Sequence, residues 1–186
     1  MDAVTTAHLT YYILDQDNDC GYYFYKDNKA LADSMSKVIG YNFTVTQAEL
    51  MTVSGGSGIV GKFADTAVGN VATTTLNITV KNTGVAPCFF DVYLVAEFVE
   101  GTGKALAQIG ETIRIPKGTF KDGASQQFSF SGAVPAGGAN LSTQPGVTVV
   151  LSLFESEEVY KSGKNPTVCF DNDGLQGNNK LLLKNR

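Results

Sequence analysis

The sequence predicts an all-β protein, a β-sandwich preceded by a β-hairpin and one short helix. Three observations predict it. Thr74, Leu76, Ile78 and Val80 alternate with Thr73, Thr75, Asn77, Thr79 and Lys81, the period of two expected of a strand with one buried face. After Asn82-Thr83-Gly84, residue types that tolerate a positive φ, the alternation resumes as Phe90, Val92, Leu94, Ala96 and Phe98. Finally, 20 glycines and only 17% charged residues in a chain of 186 suit many turns between short strands. A hydrophobic content of 43% is enough for one core.

Taken in order, residues 8–14 and 20–26 read as two strands of a hairpin around Asp15-Gln16-Asp17-Asn18-Asp19. Leu31, Met35, Val38 and Ile39 follow helical spacing and predict a helix over 28–39, started by Asp27 or Asn28 and stopped by Gly40. Residues 41–53 suggest a further strand, with Gln47-Ala48-Glu49-Leu50 ambiguous. Residues 54–71 read as a Gly-rich linker. The sandwich is expected over 72–170. Its strands are 73–81, 90–98, 105–115 after a turn at 101–104, 125–131 with Phe128 and Phe130 inward, and 146–155. A last, interrupted strand is expected at 158–160 and 167–170. Residues 1–53 form an attachment in this reading, and 171–186 a tail.

The net charge of −4 resides in the first fifty residues, where seven acids face three bases. No basic stripe is present, so nucleic acid is not expected as a direct partner. No apolar run approaches the ~20 residues of a membrane span. Cys20, Cys88 and Cys169 lack metal-site spacing and are expected as thiols, with one disulfide plus a spare thiol as the alternative. Asp15, Asp17 and Asp19 resemble the start of a calcium loop, but Cys20 stands at its glycine position and Lys26 at its closing glutamate. A solvated turn is the expectation, with weak calcium binding the other reading. Gly56, Gly58 and Gly61 match a dinucleotide fingerprint, and Gly56, Gly61 and Lys62 most of a phosphate loop. Phe63 replaces the magnesium-binding hydroxyl and no βαβ unit follows, so no cofactor is expected.

Catalysis is not expected either. His8 is the only histidine and has no partner motif, and no spacing singles out a pair among Asp91, Glu97, Glu100, Glu111, Glu155 and Glu158. Six of the eight tyrosines lie at or before residue 41. Tyr11, Tyr12, Tyr22, Tyr23 and Tyr25 are either cross-strand pairs or, if exposed, a partner-binding surface. Leu181, Leu182 and Leu183, after a polar stretch, dock on a neighbouring subunit or pack back on their own domain.

The stretch Leu76-Asn77-Ile78-Thr79-Val80-Lys81-Asn82-Thr83-Gly84 resembles the strand and NTG turn of bacterial immunoglobulin-like adhesion modules and fibronectin-III-like modules. Val149–Phe154 resembles their penultimate strand. The likeness covers about half the chain and lacks the Cys…Trp…Cys set of antibody domains. It implies an immunoglobulin-like sandwich used as a binding surface, spacer or decoration. With no signal peptide at Met1, the expectation is a non-enzymatic virion protein. Such a bacteriophage capsid-decoration or tail-surface subunit would contact other subunits and form a homo-oligomer. The alternatives are a bacterial cell-surface adhesion module, or a carbohydrate-binding module with Tyr11, Tyr23 or Tyr25 as the sugar platform.

Overall fold

A computed structural model of the chain describes residues 25–36, 38–53, 73–101, 103–121, 123–133, 141, 144–173 and 175–183. The elements are α1 (Lys29–Ser36), β1 (Phe43–Val53), β2 (Thr73–Asn82), β3 (Val92–Glu100), β4 (Ala105–Gln108), β5 (Ile113–Ile115), β6 (Ser125–Ala133), β7 (Val147–Phe154), α2 (Glu157–Lys161) and β8 (Leu181–Leu183). They build an all-β fold of two antiparallel sheets. The first has the order β1-β2-β6. The second has the order β4-β3-β7-β8, with β5 beside β3.

Alternation in the sequence becomes a shared core. Leu76, Ile78 and Val80 of β2, with Phe128 and Phe130 of β6, face Val92, Leu94, Ala96 and Phe98 of β3 and Val149, Leu151 and Leu153 of β7. β2 and β3 are therefore not partners in a hairpin. The segment after Asn82 carries the chain from one sheet to the other. Asn82 is wholly buried and organises that crossing: its Oδ1 accepts from the Gly84 and Asn42 N–H groups at 3.0 Å each, and its Nδ2 donates to the Ala86 carbonyl at 2.8 Å. Gly84 is required for contact rather than conformation, because a Cβ there would lie 2.2 Å from the Gly40 carbonyl oxygen.

Several expectations need correction. Residues 43–53 are not part of an attachment, since β1 pairs with β2 from Phe43–Asn82 to Val53–Thr73. The expected tail is likewise integral, because β8 pairs with β7 through Val149–Leu183 to Leu151–Leu181. Boundaries at 53/72 and 170/171 thus cut through sheets. Residues 25–27 are helical, not the end of a strand over 20–26. Helix α1 ends at Ser36, short of the expected 39. The strand expected over 105–115 is split: Gly110, at φ 65°, passes so close to β6 that its Cβ would lie 2.9 Å from the Ser131 nitrogen. Phe90 precedes β3 and is 37% exposed. Residues 158–160 are helical because Ser156 caps α2, its Oγ accepting from the Val159 N–H at 3.2 Å. From the last expected strand only isolated bridges remain, Leu153–Val168 and Phe43–Phe170.

Candidate interaction surface

The two sheets meet differently along their two long seams. On one, Gly110 and Gly132 let the β4–β5 connection approach β6 closely; a Cβ on Gly132 would lie 2.7 Å from the Gly110 nitrogen. On the other, β1 and β8 flank a cleft of about 720 Å³. Its walls include Val45, Ala48, Leu50 and Leu76 from the first sheet and Val149, Leu181 and Leu183 from the second, with Asn172 and Asp173 at one end.

One end of that seam is closed. The Val168 N–H donates to the Leu153 carbonyl at 3.4 Å, and the Asp171 N–H to the Phe43 carbonyl at 2.7 Å, so residues 168–172 lead from the second sheet to the first. Asn172 then occupies the edge of β1, its Oδ1 accepting from the Val45 N–H at 2.8 Å and its Nδ2 donating to the Val45 carbonyl at 2.9 Å. Thr46 is a one-residue bulge, after which the register resumes at Gln47–Thr79. Both polar backbone groups of Val45 face away from β2. The alternation of an antiparallel ladder, carried past the bulge, turns those of Ala48 and Leu50 the same way. Among the described residues no strand pairs with β1 on this side. The corresponding edge of β8 is occupied: Leu175 bridges to Leu181, and the Gln176 N–H donates to the Lys180 carbonyl at 2.9 Å.

A second exposed feature lies in the 83–91 crossing. Phe89 is 59% exposed, and Phe90 packs edge-on against Tyr41 at 5.6 Å between centroids. Asp91 fixes the end of this loop. Its Oδ1 accepts from the Lys117 N–H at 2.9 Å and its Oδ2 from Arg114 at 2.6 and 2.8 Å, which together hold the carboxyl below its ordinary range.

The outer face of the second sheet carries a polar cluster around the buried Glu97. Glu97 accepts from Lys180 Nζ at 3.1 Å, and the Tyr160 hydroxyl lies 3.3 Å from Glu97 Oε1 and 3.0 Å from Gln108 Oε1. Burial, then the Glu97 charge, pushes the phenol up to about 12. The signal for it in the sequence was one acid, Glu97, inside the apolar run of β3; nothing marked Lys180 as its partner. The arrangement satisfies a buried carboxylate.

Of the residues predicted to bind a partner, Tyr25 is exposed, with its hydroxyl 2.8 Å from Lys29 Nζ and 3.4 Å from Asp33 Oδ1. Tyr11, Tyr12, Tyr22 and Tyr23 lie outside the described residues, as do Asp15, Asp17, Asp19 and the glycine motifs of 54–63. Leu181 is buried in the chain's own core, and Leu182 and Leu183 are half-buried beside it in β8, so these three leucines pack on their own domain. Among the described residues no cluster of three or more His, Cys, Asp or Glu side chains could hold a metal. Cys88 is buried and Cys169 exposed, both with free thiols. Sequence reasoning missed the β1 edge, because Gln47-Ala48-Glu49-Leu50 has neither clean alternation nor a turn signal. No protein-family model and no curated protein matches the chain.

Proposed function

We propose that the chain is a non-enzymatic structural subunit, an immunoglobulin-like module that adds to a larger assembly through the open edge of β1. The observation that supports this is the combination of outward backbone groups at Ala48 and Leu50 with a cleft of mixed polar and apolar lining beside them. An exposed edge of this kind is a template for pairing with another chain, with main-chain hydrogen bonds giving affinity and the neighbouring cleft receiving side chains. The strand-and-turn likeness at 76–84 agrees with the two facing sheets. The setting we propose is the surface of a virion, such as a bacteriophage capsid or tail, with other protein subunits as the partners.

The test is sedimentation of the tagged chain, expressed in its native source, through a dense cushion followed by electron microscopy. Co-sedimentation with regular particles, at a fixed copy number per particle, is the expected result. Recovery only as a low-mass species would overturn the reading.

A further inference from the structure

We infer that the Lys180–Glu97 ion pair selects the register in which β8 docks on β7, because the leucines of β8 cannot. This goes beyond the assembly reading and does not depend on it. Leu181, Leu182 and Leu183 are identical side chains, and the strand is three residues long. Its pairing sets Leu181 opposite Leu151 and Leu182 opposite Val150. A slip of one residue would set Leu182 opposite Leu151 and Leu183 opposite Val150, turning every side chain to the other face. The core residue opposite Leu151 is a leucine in either register. Leu175, which bridges to Leu181, would meet Leu182 after a turn one residue longer.

The slip does change the place of Lys180. Leu181 is buried in the core, so its neighbours Lys180 and Leu182 point to the outer face of the second sheet. Glu97 lies on that face too, since Ala96 and Phe98 on either side of it belong to the core. There the Lys180 ammonium donates to the buried Glu97 carboxylate at 3.1 Å. In the slipped register Lys180 would turn towards a core that contains no acid, and Glu97 would lose its cation. A slip the other way would place Lys180 itself opposite Leu151. Either movement strands a buried charge, which is far more costly than exchanging one leucine for another. Among the described residues, one further side-chain hydrogen bond ties 175–183 to the rest of the chain, from Asn179 Nδ2 to the Pro166 carbonyl at 2.9 Å. It lies in the turn before the strand, and a longer turn accommodates it. Because β8 forms part of the cleft wall facing β1, the pair also sets the shape of that wall.

Moving the lysine tests this. In Lys180→Leu with Leu181→Lys the composition of the segment is unchanged and the charge stands one residue later. β8 should follow it. Cross-strand backbone Overhauser contacts in the nuclear magnetic resonance spectra of the full chain should pass from Val150–Leu182 to Val150–Leu183, returning the lysine to the outer face beside Glu97. In Lys180→Met with Glu97→Leu neither register strands a charge. Both contacts should then appear, with residues 181–183 giving two sets of signals within roughly tenfold of each other in intensity. Lys180→Arg keeps a cation in place and should show the Val150–Leu182 contact alone. Three results overturn the inference: Val150–Leu182 persisting as the main pairing, or β8 leaving β7, when the lysine is moved; a single set of signals in the folded apolar variant; or two sets in Lys180→Arg. Should the apolar variant not fold, the moved lysine decides.

Discussion

The carboxamide of Asn172 pairs with Val45 as the next strand of the sheet would, donating to its carbonyl at 2.9 Å and accepting from its N–H at 2.8 Å. One side chain thus caps the edge of β1 as far as the Thr46 bulge, and among the described residues no strand pairs with the ladder at Ala48 and Leu50 beyond it. Asn172→Ala removes both bonds at a half-buried position. We expect a loss of about 1–3 kcal/mol in denaturant unfolding, with unchanged dependence on denaturant and faster amide exchange at Val45.

Asn82 is the corresponding anchor inside the fold. Replacing it with Ala removes the acceptor of the Gly84 and Asn42 N–H groups and the donor to the Ala86 carbonyl. The expected cost is about 2–4 kcal/mol, against less than about 0.5 kcal/mol for Thr83→Ser beside it, both read by chemical denaturation.

The buried pair on the outer face makes a sharper contrast. Lys180→Met leaves the buried Glu97 carboxylate without its cation, beside the Tyr160 hydroxyl, and should cost about 3 kcal/mol; Lys180→Met with Glu97→Leu should recover most of it. A double-mutant cycle by thermal or urea unfolding measures the coupling.

Tyr160 predicts an alkaline limb in stability. The folded chain keeps this phenol protonated up to about 12, whereas the unfolded chain releases the proton near 10. Its contribution is therefore complete below pH 10 and is lost as pH rises towards 12. Tyr160→Phe should flatten that limb, and ultraviolet difference titration should show one fewer late-titrating tyrosine.

Thiol accessibility checks the core. In a Cys20→Ser background, Cys169 should react with an aromatic disulfide reagent at once. Cys88, buried and with its thiol pushed up chiefly by desolvation, should react only as the protein unfolds. Two equally fast thiols in the native state would contradict the position of Cys88.

How much of this was legible in the sequence depends on how many faces of a strand are covered. β2, β6 and the core face of β7 obey the period of two, because one face packs and the other is wetter. In β3, by contrast, Val95, Glu97 and Val99 on the outer face are buried as well, so its alternation was read but its second layer was not. α2 was hidden because Glu158-Val159-Tyr160 fits a strand as well as a helix, and the decision fell to the cap at Ser156. The split between β4 and β5 depends on Gly110 meeting Ser131, a contact between residues 21 apart that no local pattern encodes. The candidate surface was the least legible feature, since an open edge is defined by which strands lie beside it.

Hydrogen exchange at Ala48 and Leu50, compared between the isolated chain and the chain in its assembly, tests the central claim most directly. If the β1 edge is the docking surface, both amides exchange quickly in the isolated chain and become protected in the assembly, while Val45 stays protected by Asn172 throughout. Association that leaves Ala48 and Leu50 unprotected would contradict it.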